Sequence, residues 1–156
     1  MRAFSCVAFA VFAFLAAQPA RAAGPLDGRW QGVVTFDKEA FLAETSTPAA
    51  GTTFRIEIDD SIVRVFVLKN GGLVETKPGL FHIAAAATNA VIYANEATPE
   101  ANGWVESRVF VVTPKDDDTL IVQYVRVVNN RGLPGSDPQA RFATRGAGAF
   151  GRVKSL

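Results

Sequence analysis

The chain has 156 residues, with 16 Lys and Arg against 15 Asp and Glu, and 49% of its side chains are hydrophobic. So even a charge balance excludes the basic footprint of a nucleic-acid binder and gives no pull toward an anionic membrane surface. The one cysteine, Cys6, excludes a disulfide framework within the chain.

Met1-Arg2 is a short positive start, and Ala3 to Ala17 is apolar apart from Ser5 and Cys6. Gln18-Pro19-Ala20-Arg21-Ala22 follows with a small-residue cleavage pattern. Residues 1–22 therefore predict a secretory signal peptide cut after Ala22, and hence a periplasmic or secreted protein. The alternative is an N-terminal anchor helix, but the run is short for a membrane span. No cysteine follows it, so the lipoprotein pattern is absent. Cleavage of 22 residues from 156 leaves 134, residues 23–156, which suits one domain with a real core. Cys6, Arg2 and Arg21 go with the leader. The remaining chain has 14 Lys and Arg against 15 acids and must stand on packing and ladder hydrogen bonds alone.

The first predicted strand is Val33 to Phe36, led in by Leu26-Asp27-Gly28-Arg29-Trp30-Gln31-Gly32. Trp30, Gly32, Val34 and Phe36 share a face. Lys38 to Glu44 is the one helix-prone stretch, with Asp37 as its cap. Thr53 to Asp59 alternates cleanly, and Asp60-Ser61 makes a tight turn into Ile62 to Lys69. A two-residue turn sets Ile58 against Val63, Ile56 against Val65 and Phe54 against Val67, with Glu57 opposite Arg64 outside. Asn70-Gly71-Gly72 turns again. A short strand, Leu73 to Thr76, leads to a further turn at Lys77-Pro78-Gly79. Leu80 to Ala87 and Ala90 to Ala97 follow. The alanines of the first read either as a strand whose small side chains leave room inside, or as a short helix.

Two long β-prone runs then flank a polar tip at Pro114-Lys115-Asp116-Asp117-Asp118. With the tip centred near Asp116, Val112 faces Leu120, Phe110 faces Val122, Arg108 faces Tyr124 and Glu106 faces Arg126. One face of this hairpin carries Trp104, Glu106, Arg108, Phe110, Leu120, Val122, Tyr124 and Arg126. The other carries Val105, Ser107, Val109, Val111, Ile121, Gln123, Val125 and Val127. The second is the more uniformly apolar, so it is the expected core face, with Glu106–Arg126 a surface pair. The opposite orientation would turn Trp104, Glu106, Tyr124 and Arg126 into a polar anchor inside an apolar cavity. Arg131 to Pro138 is the longest turn-rich loop. The last strand alternates Phe142, Thr144, Gly146, Gly148 and Phe150 with Ala143, Arg145, Ala147 and Ala149. Its glycines suggest a bent, closely approached strand.

About nine short strands with tight turns predict an all-β domain: an antiparallel up-and-down β-barrel of 8–10 strands, or alternatively a β-sandwich. Gly28-x-Trp30 at the start of the first strand resembles the opening motif of the lipocalin-like (calycin) barrels. That resemblance implies a Trp that closes one barrel end under an Arg near the last strand, here Arg145 or Arg152. It also implies binding of a small apolar ligand. A Pro/Gly loop stands where that family has a helix before the final strand.

Catalytic, metal and cofactor motifs are not recognisable. Ser61, Ser107 and Ser136 lie in no nucleophile motif, a zinc site of the His/Cys kind lacks ligands, and the phosphate-binding glycine patterns are missing. Asp116–Asp118 reads as a solvated tip rather than a calcium loop. The candidate ligand-binding set is Trp104, Glu106, Tyr124 and Arg126, with His82. Buried beside a cavity, Arg126 would bind a carboxylate and Glu106 would hold the Arg in place. The expected function is a non-enzymatic binder of a small apolar or amphipathic molecule. An interaction or inhibitor module using the Asn129–Asp137 loop, and a barrel enzyme of cyclase or isomerase type, are the alternatives.

Overall fold

A computed structural model of the chain describes residues 24–36, 51–86, 89–98, 103–137 and 140–154. The leader and the predicted helix at Lys38 to Glu44 lie outside the described residues. The described chain is all-β. Its strands are β1 (Gly28–Phe36), β2 (Thr52–Asp59), β3 (Ile62–Lys69), β4 (Gly72–Glu75), β5 (His82–Ala85), β6 (Ala90–Thr98), β7 (Trp104–Asp116), β8 (Thr119–Asn130) and β9 (Arg141–Arg152). They form one antiparallel sheet in the order β4-β3-β2-β1-β9-β8-β7-β6-β5. The first and last strands are thus neighbours at the middle of the sheet, and β4 and β5 are its two ends.

The turn residues explain the tight hairpins. Asp60 opens the β2–β3 turn at a φ of 56°, and Asn70 and Gly71 form the β3–β4 turn at 51° and 80°. Both central residues of the second turn are left-handed, the geometry that matches the twist of paired strands. The β2–β3 register is the one the sequence predicts: Ile58 with Val63, Ile56 with Val65, Phe54 with Val67 and Glu57 with Arg64.

The β7–β8 hairpin departs from expectation in two ways. Pro114 stays within β7, the ladder is irregular between Pro114 and Asp116, and the turn falls at Asp117-Asp118. The register therefore slides by two residues: Val112 meets Val122, Phe110 meets Tyr124, Arg108 meets Arg126 and Glu106 meets Val128. A two-residue slide keeps side chains on their faces, but the chosen core face is the other one. Phe110, Val112, Leu120 and Val122 are fully buried and Glu106 is 3% exposed, whereas Val105 and Val127 are 42% and 46% exposed. The apolar count misled because the inner charged side chains hydrogen-bond to one another, as described below.

The sheet curls on itself. Phe54 on β2 lies 5.4 Å from both Phe110 on β7 and Tyr124 on β8. In a flat sheet β2 and β7 would stand four strand spacings apart, about 19 Å. One continuous core fills the space between the two halves, with Trp30, Ile56, Val65, Ile92 and Phe150 almost completely buried. The backbones of β1 and β9 approach closely. A Cβ on Gly148 would fall on the Val33 carbonyl oxygen, and one on Gly146 would sit 2.5 Å from that of Thr35. Only glycine lets the two backbones approach this closely.

The alanine-rich run is a strand at His82–Ala85 rather than a helix. Ala84 and Ala85 are exposed, so they do not hollow out the core. Ala85 instead borders a cavity of about 210 Å³ lined by Ile58, Ile83 and Pro114.

Candidate functional site

One end of the curled sheet is plugged. Trp30 is 1% exposed and its indole Nε1 donates to the Leu26 carbonyl at 2.8 Å. Arg152 lies over the ring, its Cζ 4.0 Å from the centroid, and donates to the Asp27 carbonyl at 2.7 Å and the Asp117 carbonyl at 2.9 Å. Of the two candidate arginines, Arg152 is therefore the one stacked on Trp30; Arg145 is exposed on the outer face of β9.

The other end is polar inside. Glu106 points inward from β7 and accepts from Nε of Arg126 at 2.7 Å and from Nε of Arg108 at 2.5 Å. The indole Nε1 of Trp104 reaches it at 3.3 Å, and Lys77 Nζ stands 3.9 Å away. Lys77 also pairs with Glu96 on β6. Three cations thus surround two carboxylates, leaving a surplus of positive charge. Burial pushes the Glu106 carboxyl up, but the hydrogen bonds and charges of Arg126 and Arg108 outweigh it, and the net direction is down. Glu106 is an ionised clamp. Each arginine gives it only Nε, so the Nη groups are available for other partners; Arg108 spends Nη1 on the Thr76 hydroxyl at 2.5 Å.

A cavity of about 300 Å³ opens beside this cluster, a size that suits a small molecule. It is lined by the apolar Phe36, Phe54 and Val67 and by the polar Arg108, Arg126, Tyr124 and Thr144; Thr52, Thr76 and Lys69 complete it. Tyr124 is 4% and Thr144 8% exposed. Neither hydroxyl has a hydrogen-bond partner among the described residues. Both hydroxyls border the cavity, where a water, an ion or a ligand can meet them. Burial pushes the Tyr124 phenol up, against the pull of Arg108 and Arg126, so it remains a neutral donor.

The structure brings together Trp104, Glu106, Tyr124 and Arg126. It does not bring His82 to them: His82 is exposed on β5 with its ring 5.6 Å from that of Tyr93. Sequence reasoning missed Thr144, Lys77, Glu96 and the apolar wall of Phe36 and Phe54 as members of this site. Arg108 was visible, two residues from Glu106 on the same face. Lys77 stands in a turn, at a φ of 49°, where no periodicity places it. Among the described residues no group of His, Cys, Asp or Glu forms a metal cluster, and no helix is long and apolar enough to cross a membrane. Comparison with known proteins finds no matching family, no matching curated protein and no matching solved structure.

Proposed function

We propose that this protein is an exported, non-enzymatic β-barrel that holds a small amphipathic molecule by a carboxylate. The observation that carries the reading is the pair of buried hydroxyls, Tyr124 and Thr144, which have no hydrogen-bond partner among the described residues, beside two guanidinium groups in a cavity with aromatic lining. The remaining Nη groups of Arg126 and the hydroxyls of Tyr124 and Thr144 can donate to an oxyanion, and Phe36, Phe54 and Val67 fit the apolar remainder. Glu106 supports binding over proton transfer, because a carboxylate held below its ordinary range is a poor acid or base near neutrality. The strand order supports a barrel: it follows the chain cyclically and is interrupted only between β4 and β5. Arg152 over Trp30 at the plugged end is what the lipocalin-like resemblance leads one to expect. The leader supports export, and N-terminal sequencing of the processed protein should begin at Ala23.

Calorimetry with a medium-chain alkyl carboxylate and the matching alcohol tests the reading. The carboxylate should bind more tightly, and Arg126→Met should remove most of that preference, about tenfold or more. If neither compound binds, the cavity is not a ligand site.

A further inference from the structure

The cavity beside Glu106 holds more positive charge than its two arginines supply, because Lys69 lines it as well. Val63 and Val65 are buried on the inner face of β3, and Val67 packs against the same core. Strand alternation puts Lys69, the last residue of β3, on that face with them. The Lys69 side chain reaches solvent and has no carboxylate partner among the described residues. Lys77 pairs with Glu96, and Glu106 is shared between Arg108 and Arg126. The cations Lys69, Lys77, Arg108 and Arg126 thus stand against the acids Glu96 and Glu106, and four against two leaves two positive charges without an acid among the described residues. One of the two falls on the arginine pair and the other on Lys69.

These charges are set apart. In sheet order β2, β1 and β9 lie between Lys69 on β3 and Arg126 on β8. The strands between them give the cavity Phe54 and Phe36. Building on the carboxylate reading of this cavity, we propose that its ligand is a dicarboxylate: two acid groups joined by a short apolar segment. Arg126 holds one acid, Lys69 meets the other, and the segment between them lies along Phe36, Phe54 and Val67. A compact dianion such as a phosphate monoester carries both charges on one head and leaves one of the separated cations unmet. Lys69 is then the residue that distinguishes a diacid from a monoacid. It does so as a point charge at an exposed position, so the discrimination is modest and is cut by salt.

Titration calorimetry of the host-processed protein tests this, with glutarate, adipate, pimelate and suberate each set against the straight-chain monoacid of the same length. The best diacid should bind more tightly than its monoacid. Lys69→Gln should weaken the diacid by about fivefold and leave the monoacid unchanged. Lys115→Gln, at an exposed site by the plugged end, makes the same change in net charge and should alter neither. Both lysines are exposed, and thermal melts matching the parent establish that the variants fold. Monoacids that bind while no diacid binds more tightly overturn the second acid group and leave the carboxylate reading standing. Failure of both kinds to bind overturns the two together. A diacid preference that survives Lys69→Gln, or an alkyl phosphate that loses as much on that substitution, also overturns the proposal.

Discussion

Glu106 and Arg126 share a hydrogen bond of 2.7 Å although their backbones are not directly paired; Glu106 sits opposite Val128 and Arg126 opposite Arg108. The offset lets one carboxylate serve two arginines from neighbouring strands. Removing the acid leaves two half-buried arginines without their partner. Glu106→Gln should therefore cost about 3–5 kcal/mol in urea unfolding at neutral pH.

The same clamp sets a pH dependence. The folded carboxyl lies below its ordinary value of 4.5, so the unfolded chain takes up its proton first as pH drops. The stabilisation is complete above that value and is lost as pH falls through the lower folded one. Urea midpoints between pH 3 and 7 should fall on the acid side, and more shallowly in Glu106→Gln. Equal slopes for the two proteins would refute the assignment.

Tyr124→Phe should have opposite effects on stability and binding. Its buried hydroxyl lacks a partner among the described residues, and such a group costs about 1–3 kcal/mol. The ligand-free variant should match or exceed the parent in thermal unfolding. Its affinity for an alkyl carboxylate should drop, because the donor is gone.

Arg152→Met removes the stack on Trp30 and two hydrogen bonds to backbone carbonyls. Tryptophan-monitored unfolding should show a loss of about 2 kcal/mol. Arg152→Lys should recover little of it, since a point charge cannot lie flat on an indole or reach both carbonyls.

Gly148→Ala should be destabilising by about 1–3 kcal/mol or more, because its methyl has only the Val33 carbonyl to move against. Gly151→Ala, three residues along with open space at its Cβ, should change stability by about 0.5 kcal/mol or less.

These residues also show what could be read in advance. The β2–β3 hairpin was legible in full, because Asp60-Ser61 fixes the loop length and Ile56, Ile58, Val63 and Val65 leave one choice of face. In the β7–β8 hairpin the tip was too polar to locate the turn, and Pro114, which removes a ladder donor, nevertheless remains in the strand beside an irregularity. The inner face was misjudged for a different reason. Glu106, Arg108 and Arg126 read individually as surface residues, and their burial is tolerable only because they meet one another and Lys77. That convergence depends on a turn residue and on the curl of the sheet, and neither has a period. Four of the five candidate residues come together on the inner face of β7 and β8; His82 lies on the outer face of β5.

The β1–β9 pairing has a consequence for how the chain is made. Arg152 reaches back to Asp27, 125 positions earlier, and β1 and β9, the first and last described strands, are neighbours at the centre of the sheet. A nascent chain that stops short of Arg141 lacks the middle strand rather than an edge. What remains is two separate flaps, β4-β3-β2-β1 and β8-β7-β6-β5, each with an uncovered oily side. Joining the two flaps requires the twelve residues of β9, and a truncation that removes this strand would open the interior between them.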